Sequence, residues 1–191
     1  MTKKYELLAE DTIKVLGRKL FRIKAIISFG IVDEGDLGGY VEKGANLSQY
    51  GNAWVYGDAR VYGDAKIFGD AKVFGDTEVF GNARVYGDAE VFGDARVYGD
   101  AEVFGDARIY GNAEVFGDAR VKSSKDYIVF KNTWSSFRWF TYTKSNQMWR
   151  VGCFYGTGQE LIKKAYKDSE LSGKCYEAYV NLVSELEKIE N

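Results

Sequence analysis

From Gly51 to Lys122 the hydrophobic and polar positions repeat every six residues without a break. The units are GNAWVY, GDARVY, GDAKIF, GDAKVF, GDTEVF, GNARVY, GDAEVF, GDARVY, GDAEVF, GDARIY, GNAEVF and GDARVK. In each, a small residue and a β-branched one flank a position that is charged in all but the first hexad, where it is Trp54, which is the alternation of a strand with one face buried. A short fixed period held this long marks stacked repeats. One hexad can bury nothing alone, so three should form the sides of a triangular coil of about 18 residues, with successive coils about 4.8 Å apart in parallel register. Twelve hexads then predict four coils. Ala53, Val55 and their equivalents fill the interior, and Gly with Asp or Asn forms the corners, where positive φ and Asx-type hydrogen bonds to backbone are favoured.

This register can be tested on charge. One outward column reads Arg60, Glu78, Arg96, Glu114, alternating in sign throughout; a second reads Lys66, Arg84, Glu102, Arg120 and a third Trp54, Lys72, Glu90, Arg108, each alternating in part. Opposite charges at that spacing each add a few tenths of a kcal/mol. The aromatic position builds ladders of its own: Tyr56, Phe74, Phe92, Tyr110; Tyr62, Phe80, Tyr98, Phe116; and Phe68, Tyr86, Phe104. Asp58, Asp76 and Asp94 share one corner column and Asp70, Asp88 and Asp106 another. Such rows suit calcium or mimicry of a phosphate backbone, but Asn52, Asn82 and Asn112 favour simple corner capping.

Upstream, GYVEKG and ANLSQY read as a degenerate first coil in which Val41 and Leu47 hold the alanine slot. Residues 1–38 are expected to cap the solenoid: LFRIKAIISF reads as strand and GDLGG as the turn into the coil. The hexapeptide region therefore spans 39–122. Beyond it, over 123–191, the period of six vanishes and aromatics become dense. DYIVFKN, FRWFTYTKS and MWRVGCFYG suggest three antiparallel strands. Thr157 and Glu160 form a capping box for a helix to about Tyr166. The GTG ahead of it suits a capping turn or an anion at the helix N-terminus. A second helix, from about Ser172 to Ile189, presents Tyr176, Tyr179, Val180, Val183 and Leu186 on one face. The fold class is thus mainly β, a hexapeptide solenoid with a small α+β C-terminal domain.

Composition narrows the chemistry. The chain has 191 residues and no histidine, so Ser-His-Asp, Cys-His and His-ligated metal sites are all excluded. No cofactor and no metal are implied. Cys153 and Cys175 read as free thiols in a chain with no secretion signal. No apolar run is long enough to span a bilayer, so a cytoplasmic protein without membrane contact is expected. The hexads carry 8 Lys or Arg against 13 Asp or Glu, while the flanks of the repeat are mildly basic. Trp134, Phe137, Arg138, Trp139, Tyr142, Trp149 and Arg150 combine π-faces with guanidinium groups, as a base-stacking or partner-binding surface requires. Strand alternation would set Phe137 and Trp139 on one face and Arg138, Phe140 and Tyr142 on the other, so one face must instead be core.

GDLGGYVE at 35–42, NLSQYGNAWVYG at 46–57 and VGCFYGTGQEL at 151–161, together with the hexads, resemble phage and prophage hexapeptide-repeat proteins that are often labelled acyltransferases. The resemblance implies a left-handed parallel β-helix. It also implies an enzyme, which the missing histidine argues against, since these acyltransferases typically use one as the general base. The expectation is a non-catalytic, phage-encoded binding or scaffold protein in the host cytoplasm, forming homo-oligomers, with a trimer favoured. Its partner would be a host protein, such as a defence component, or a small nucleotide. An acyltransferase taking coenzyme A thioesters and a nucleic-acid mimic or binder stand as alternatives.

Overall fold

In the computed structural model, which describes residues 3–190, each hexad contributes one two-residue strand. These strands, β4 to β15, run from Trp54–Val55 to Arg120–Val121 and pair in parallel with the strand 18 residues on, as in Arg60↔Glu78 and Val61↔Val79. Two of the resulting sheets have four strands. The third continues into the N-terminal segment and has seven. The alanine and β-branched positions are fully buried, and Thr77, alone in an alanine slot, satisfies its hydroxyl on Phe74 O at 2.8 Å. Every hexad glycine has positive φ, between +59° and +78°. At Gly87 this combines with close approach, since a Cβ there would lie 3.0 Å from the backbone nitrogen of Gly105 in the next coil.

The outward columns pair as the register requires. Glu78 lies between Arg60 (2.9 Å) and Arg96 (3.9 Å), Glu90 between Lys72 (3.5 Å) and Arg108 (3.1 Å), and Glu102 between Arg84 (3.5 Å) and Arg120 (3.4 Å). All three columns therefore hold a glutamate bracketed by two cations. The ladders stack too, with Tyr62 on Phe80 at 5.0 Å and Phe80 on Tyr98 at 4.7 Å. Most of these rings are half-buried by neighbouring coils rather than fully exposed, with Tyr110 the exposed end of its ladder. At the corners the asparagines act between coils instead of locally. Asn52 Nδ2 donates to Asp70 Oδ1 at 2.8 Å, Asn82 Nδ2 to Asp100 Oδ1 at 2.9 Å and Asn112 Nδ2 to Asp94 Oδ2 at 3.4 Å. Each column holds one asparagine: Asn82 interrupts the row of Asp64, Asp100 and Asp118, while Asn52 and Asn112 stand at the ends of the other two rows and donate to the adjacent aspartate. Among the described residues no three acidic, cysteine or histidine side chains converge as a metal site would need.

The degenerate first coil differs from its expected register. Val41 pairs with Val61 and Leu47 with Ile67, a separation of 20 rather than 18, so both occupy the β-branched slot and not the alanine slot. The two additional residues lie between Leu47 and Val55. Ahead of it, β1 (Tyr5–Val15) and β2 (Arg18–Ala25) form a hairpin, and the GDLGG stretch is itself strand from Leu37, as β3 (Leu37–Val41). Gly38 and Gly39 permit this, since side chains there would collide with Val55 O and Ala59 O at 2.5 Å.

This cap answers a definite need. Within the solenoid, each coil donates N–H groups to the glycine, alanine and valine carbonyls of the next, so the first regular coil is left with a row of acceptors. Lys4 Nζ donates to Gly51 O (3.2 Å) and Ala53 O (2.8 Å), Arg22 Nη1 to Gly57 O (3.2 Å) and Asn46 Nδ2 to Gly63 O (3.1 Å) and Ala65 O (2.8 Å). Backbone N–H groups of Tyr40, Glu42 and Ser48 reach Ala59 O, Val61 O and Ile67 O. Side chains thus stand in for a missing coil.

Lys4 is buried in this role, also lying 4.6 Å over the Phe29 ring. Burial pushes its pKa from 10.5 down to about 8, against the opposing pull of Asp70. Between those values the unfolded chain binds the proton and the folded one does not, so this group makes stability rise with pH across the window. Below about pH 8 the full cost of burying the charge remains. Relative to Lys4→Met, the wild type should gain on the order of 1 kcal/mol between about pH 7 and about pH 9.5. Urea unfolding at both pH values checks this; an unchanged gap would mean the ammonium is well solvated.

The second compact unit begins at Tyr127. It has four antiparallel strands in sequential order, β16 (Tyr127–Lys131), β17 (Trp139–Thr143), β18 (Met148–Val151) and β19 (Phe154–Gly156). The fourth arises because MWRVGCFYG is not one strand but a hairpin turning at Gly152, φ +57°. Helices α1 (Gly158–Asp168) and α2 (Glu170–Glu190) follow, α1 opening on the Thr157–Glu160 capping box. Phe140, Tyr142, Trp149 and Val151 pack against Leu161, Ala165, Tyr176, Val180 and Val183. Leu186, expected on the buried face of α2, is 42% exposed. Among the described residues no helix is long and apolar enough to cross a membrane.

Candidate functional site

The loop from Asn132 to Arg138, between β16 and β17, is organised around one buried side chain. Asn132 is 0% exposed. Its Nδ2 donates to Ser135 Oγ (2.9 Å) and Ser136 Oγ (3.2 Å), and its Oδ1 accepts from the N–H groups of Trp134 (3.0 Å) and Ser135 (3.2 Å). The Asn132 N–H closes the loop on Arg138 O at 3.0 Å. An Asx hub of this kind fixes a short segment without a core of its own.

What the hub displays is unusual for a small domain. Trp134 is 77% exposed and Phe137 67% exposed, and Phe137 holds a left-handed φ of +54°, which is strained for a bulky residue. Arg138 is exposed beside them, and Trp139 is partly exposed with Lys131 Nζ 4.9 Å over its ring. Trp134 also forms one wall of an apolar groove of about 420 Å³, completed by Lys174, Cys175, Ala178, Tyr179 and Leu182 of α2. Two large rings held in water at backbone cost, next to a greasy groove, suit contact with another molecule.

The seven aromatic and basic residues singled out by sequence therefore divide. Trp134, Phe137, Arg138 and Trp139 cluster at the loop and the start of β17. Tyr142 (3% exposed) and Trp149 (2% exposed) are core, their rings 5.0 Å apart. The Tyr142 hydroxyl donates to Glu187 Oε1 at 2.6 Å, and burial followed by that carboxylate raises its pKa. Arg150 is half-buried on β18, reaching Phe154 O at 3.5 Å. Alternation separated Trp139 from Phe140 correctly. Arg138 is exposed despite sharing parity with Phe140, because it precedes the strand.

Sequence reasoning missed Asn132, whose role depends on burial, and the α2 side of the groove. A signal for the latter did exist. Leu171, Cys175, Ala178 and Leu182 recur at i, i+4, i+7 and i+11, a second apolar row on a helix already carrying a core-facing one.

No protein-family model and no curated protein matches this chain. Fold and site define its class directly: a β-solenoid protein with a small C-terminal domain of strands and two helices.

Proposed function

We propose that the protein is a non-catalytic binding protein in which the solenoid is scaffold and the C-terminal domain carries the recognition surface. The observation behind this is the Asn132 loop, which spends hydrogen bonds and backbone strain to keep Trp134 and Phe137 in solvent beside the α2 groove. The absence of histidine supports a role without catalysis, and the paired charges and stacked rings of the hexads read as internal structure. We extend the reading to a phage-encoded protein acting on a host protein in the cytoplasm, on the strength of the motif resemblance. Self-association belongs to the same proposal, supported by the exposed Leu171, Leu182, Leu186 and Ile189 of α2.

Affinity capture from host extract with wild type and with Trp134→Ala/Phe137→Ala compares the two surfaces. Loss of a hot-spot aromatic typically costs about 2 kcal/mol or more, so capture of a specific partner should fall at least about tenfold in the double variant with folding unchanged. Equal capture by both proteins would remove the loop from the proposal. Heat released on titration with acetyl coenzyme A would instead favour the acyltransferase reading.

A further inference from the structure

The side of α2 turned away from the domain core carries an apolar row with the spacing of a helix seam. Leu171, Cys175, Ala178, Leu182 and Ile189 follow the a and d positions of a heptad, and Glu185 takes the remaining one. Leu171 is 60% exposed, Leu182 46% and Ile189 81%, whereas Tyr176, Val180 and Val183 of the same helix are buried in the core. We propose that this row pairs with α2 of a second copy, antiparallel and across a two-fold axis beside residue 180, in a reversible dimer that covers the groove walled by Trp134. The pairing rests on the reading of the C-terminal domain as the recognition surface, and it names one occupant of that surface.

Side-chain size sets the register. Two α2 helices running in opposite directions about residue 180 bring each a position against a d position: Ala178 against Leu182 of the second copy, Leu171 against its Ile189 and Cys175 against its Glu185. Ala178 lines the groove together with Trp134 and Leu182 of its own chain. A methyl group there leaves room for an incoming leucine, and two-fold symmetry fills both grooves at once.

Charge selects the same arrangement. Lys174 and Glu185 are exposed and each is paired with a neighbour on its own helix, Lys174 with Glu170 at 2.8 Å and Glu185 with Lys188 at 2.7 Å. Exposed pairs of this kind contribute little by themselves and are readily shared. In the antiparallel register Glu185 lies between its own Lys188 and Lys174 of the second copy, a carboxylate bracketed by two cations. A parallel pair, or a three-fold bundle of parallel helices, would instead bring Glu185 against Glu185 in the seam and Lys174 towards Lys174. A contact of one helix pair falls at the small, transient end of interfaces. The dimer therefore dissociates on dilution, and a host partner on the Trp134 loop competes with it.

Sedimentation velocity of the full chain over a concentration series should show a monomer–dimer equilibrium. Leu182→Glu should weaken it at least about tenfold, because a carboxylate would then face Ala178 at both symmetry-related sites. Lys174→Glu should weaken it too, and adding Glu185→Lys should restore it. These two positions lie about 16 Å apart along one helix, so the rescue can arise only between copies. In a Cys153→Ser background, Glu185→Cys should form a disulfide with Cys175 of the second copy on mild oxidation, while Cys153→Ser alone stays unlinked. A monomer throughout the micromolar range, a trimer, a dimer indifferent to Leu182→Glu, or a link between two Cys175 thiols would overturn the pairing. The recognition surface is judged separately: a monomeric wild type whose capture is lost in Trp134→Ala/Phe137→Ala removes the dimer alone, and a dimer with capture unchanged in that variant removes the surface alone.

Discussion

Replacing Gly87 with valine should lower the melting temperature of the solenoid by roughly 10 °C or more, corresponding to about 3–5 kcal/mol. Two costs add at this position. Its φ of +70° is a conformation that a β-branched residue resists by about 1–2 kcal/mol or more. The new Cβ would lie 3.0 Å from Gly105 N and 3.3 Å from Gly105 O, and those neighbours are backbone, which cannot swing aside. Relief requires the coils to part, weakening the Asp88 N–H to Gly105 O bond of 2.9 Å and the stack around it. Gly111→Ala separates the two effects, because φ there is +64° but nothing lies within 4 Å of a Cβ. That variant should lose only about 1 kcal/mol. Circular dichroism melts of both proteins give the comparison, and similar losses would show that inter-coil contact is unimportant at the corners.

Asn132→Ala should destabilise the C-terminal domain by about 2–3 kcal/mol and abolish partner capture although no contacting side chain has changed. The substitution removes four hydrogen bonds and leaves the Trp134 and Ser135 N–H groups to find water. Without the hub, Phe137 has no reason to keep its positive φ, and Trp134 loses its place beside α2. Asn132→Asp is the informative partner. It retains the acceptor for both N–H groups and can accept from the two serine hydroxyls, so both stability and capture should be largely kept. Urea unfolding followed by tryptophan fluorescence, alongside capture with each variant, tests the pair. Full capture by Asn132→Ala would mean that the loop is not pre-organised for binding.

Much of the solenoid was legible because each interior position is constrained every 18 residues. Ala89, Val91 and the bracketed Glu90 could be placed from sequence alone, since a slip of one residue would put charge inside. The first coil was less legible, because the repeat residues are absent there and two additional residues before Val55 shift Val41 and Leu47 into another slot. The capping donors Lys4 and Asn46 carry no sequence signal, as what they satisfy is an edge created only by the stacked coils. In the C-terminal domain, composition marked the aromatic-rich segment but not its sides. Trp149 and Trp134 are chemically alike, and only the packing of α1 and α2 buries the first and exposes the second. The turn at Gly152 was visible as a glycine, but not as the break that makes four strands from three.

The division between scaffold and recognition surface is tested most directly by hydrogen–deuterium exchange on the protein with and without its captured partner. The account predicts new protection at residues 132–139 and along 171–186, with the hexads from 51 to 122 unchanged. Protection spread over a solenoid face, with the Asn132 loop exchanging as in the free protein, would contradict it.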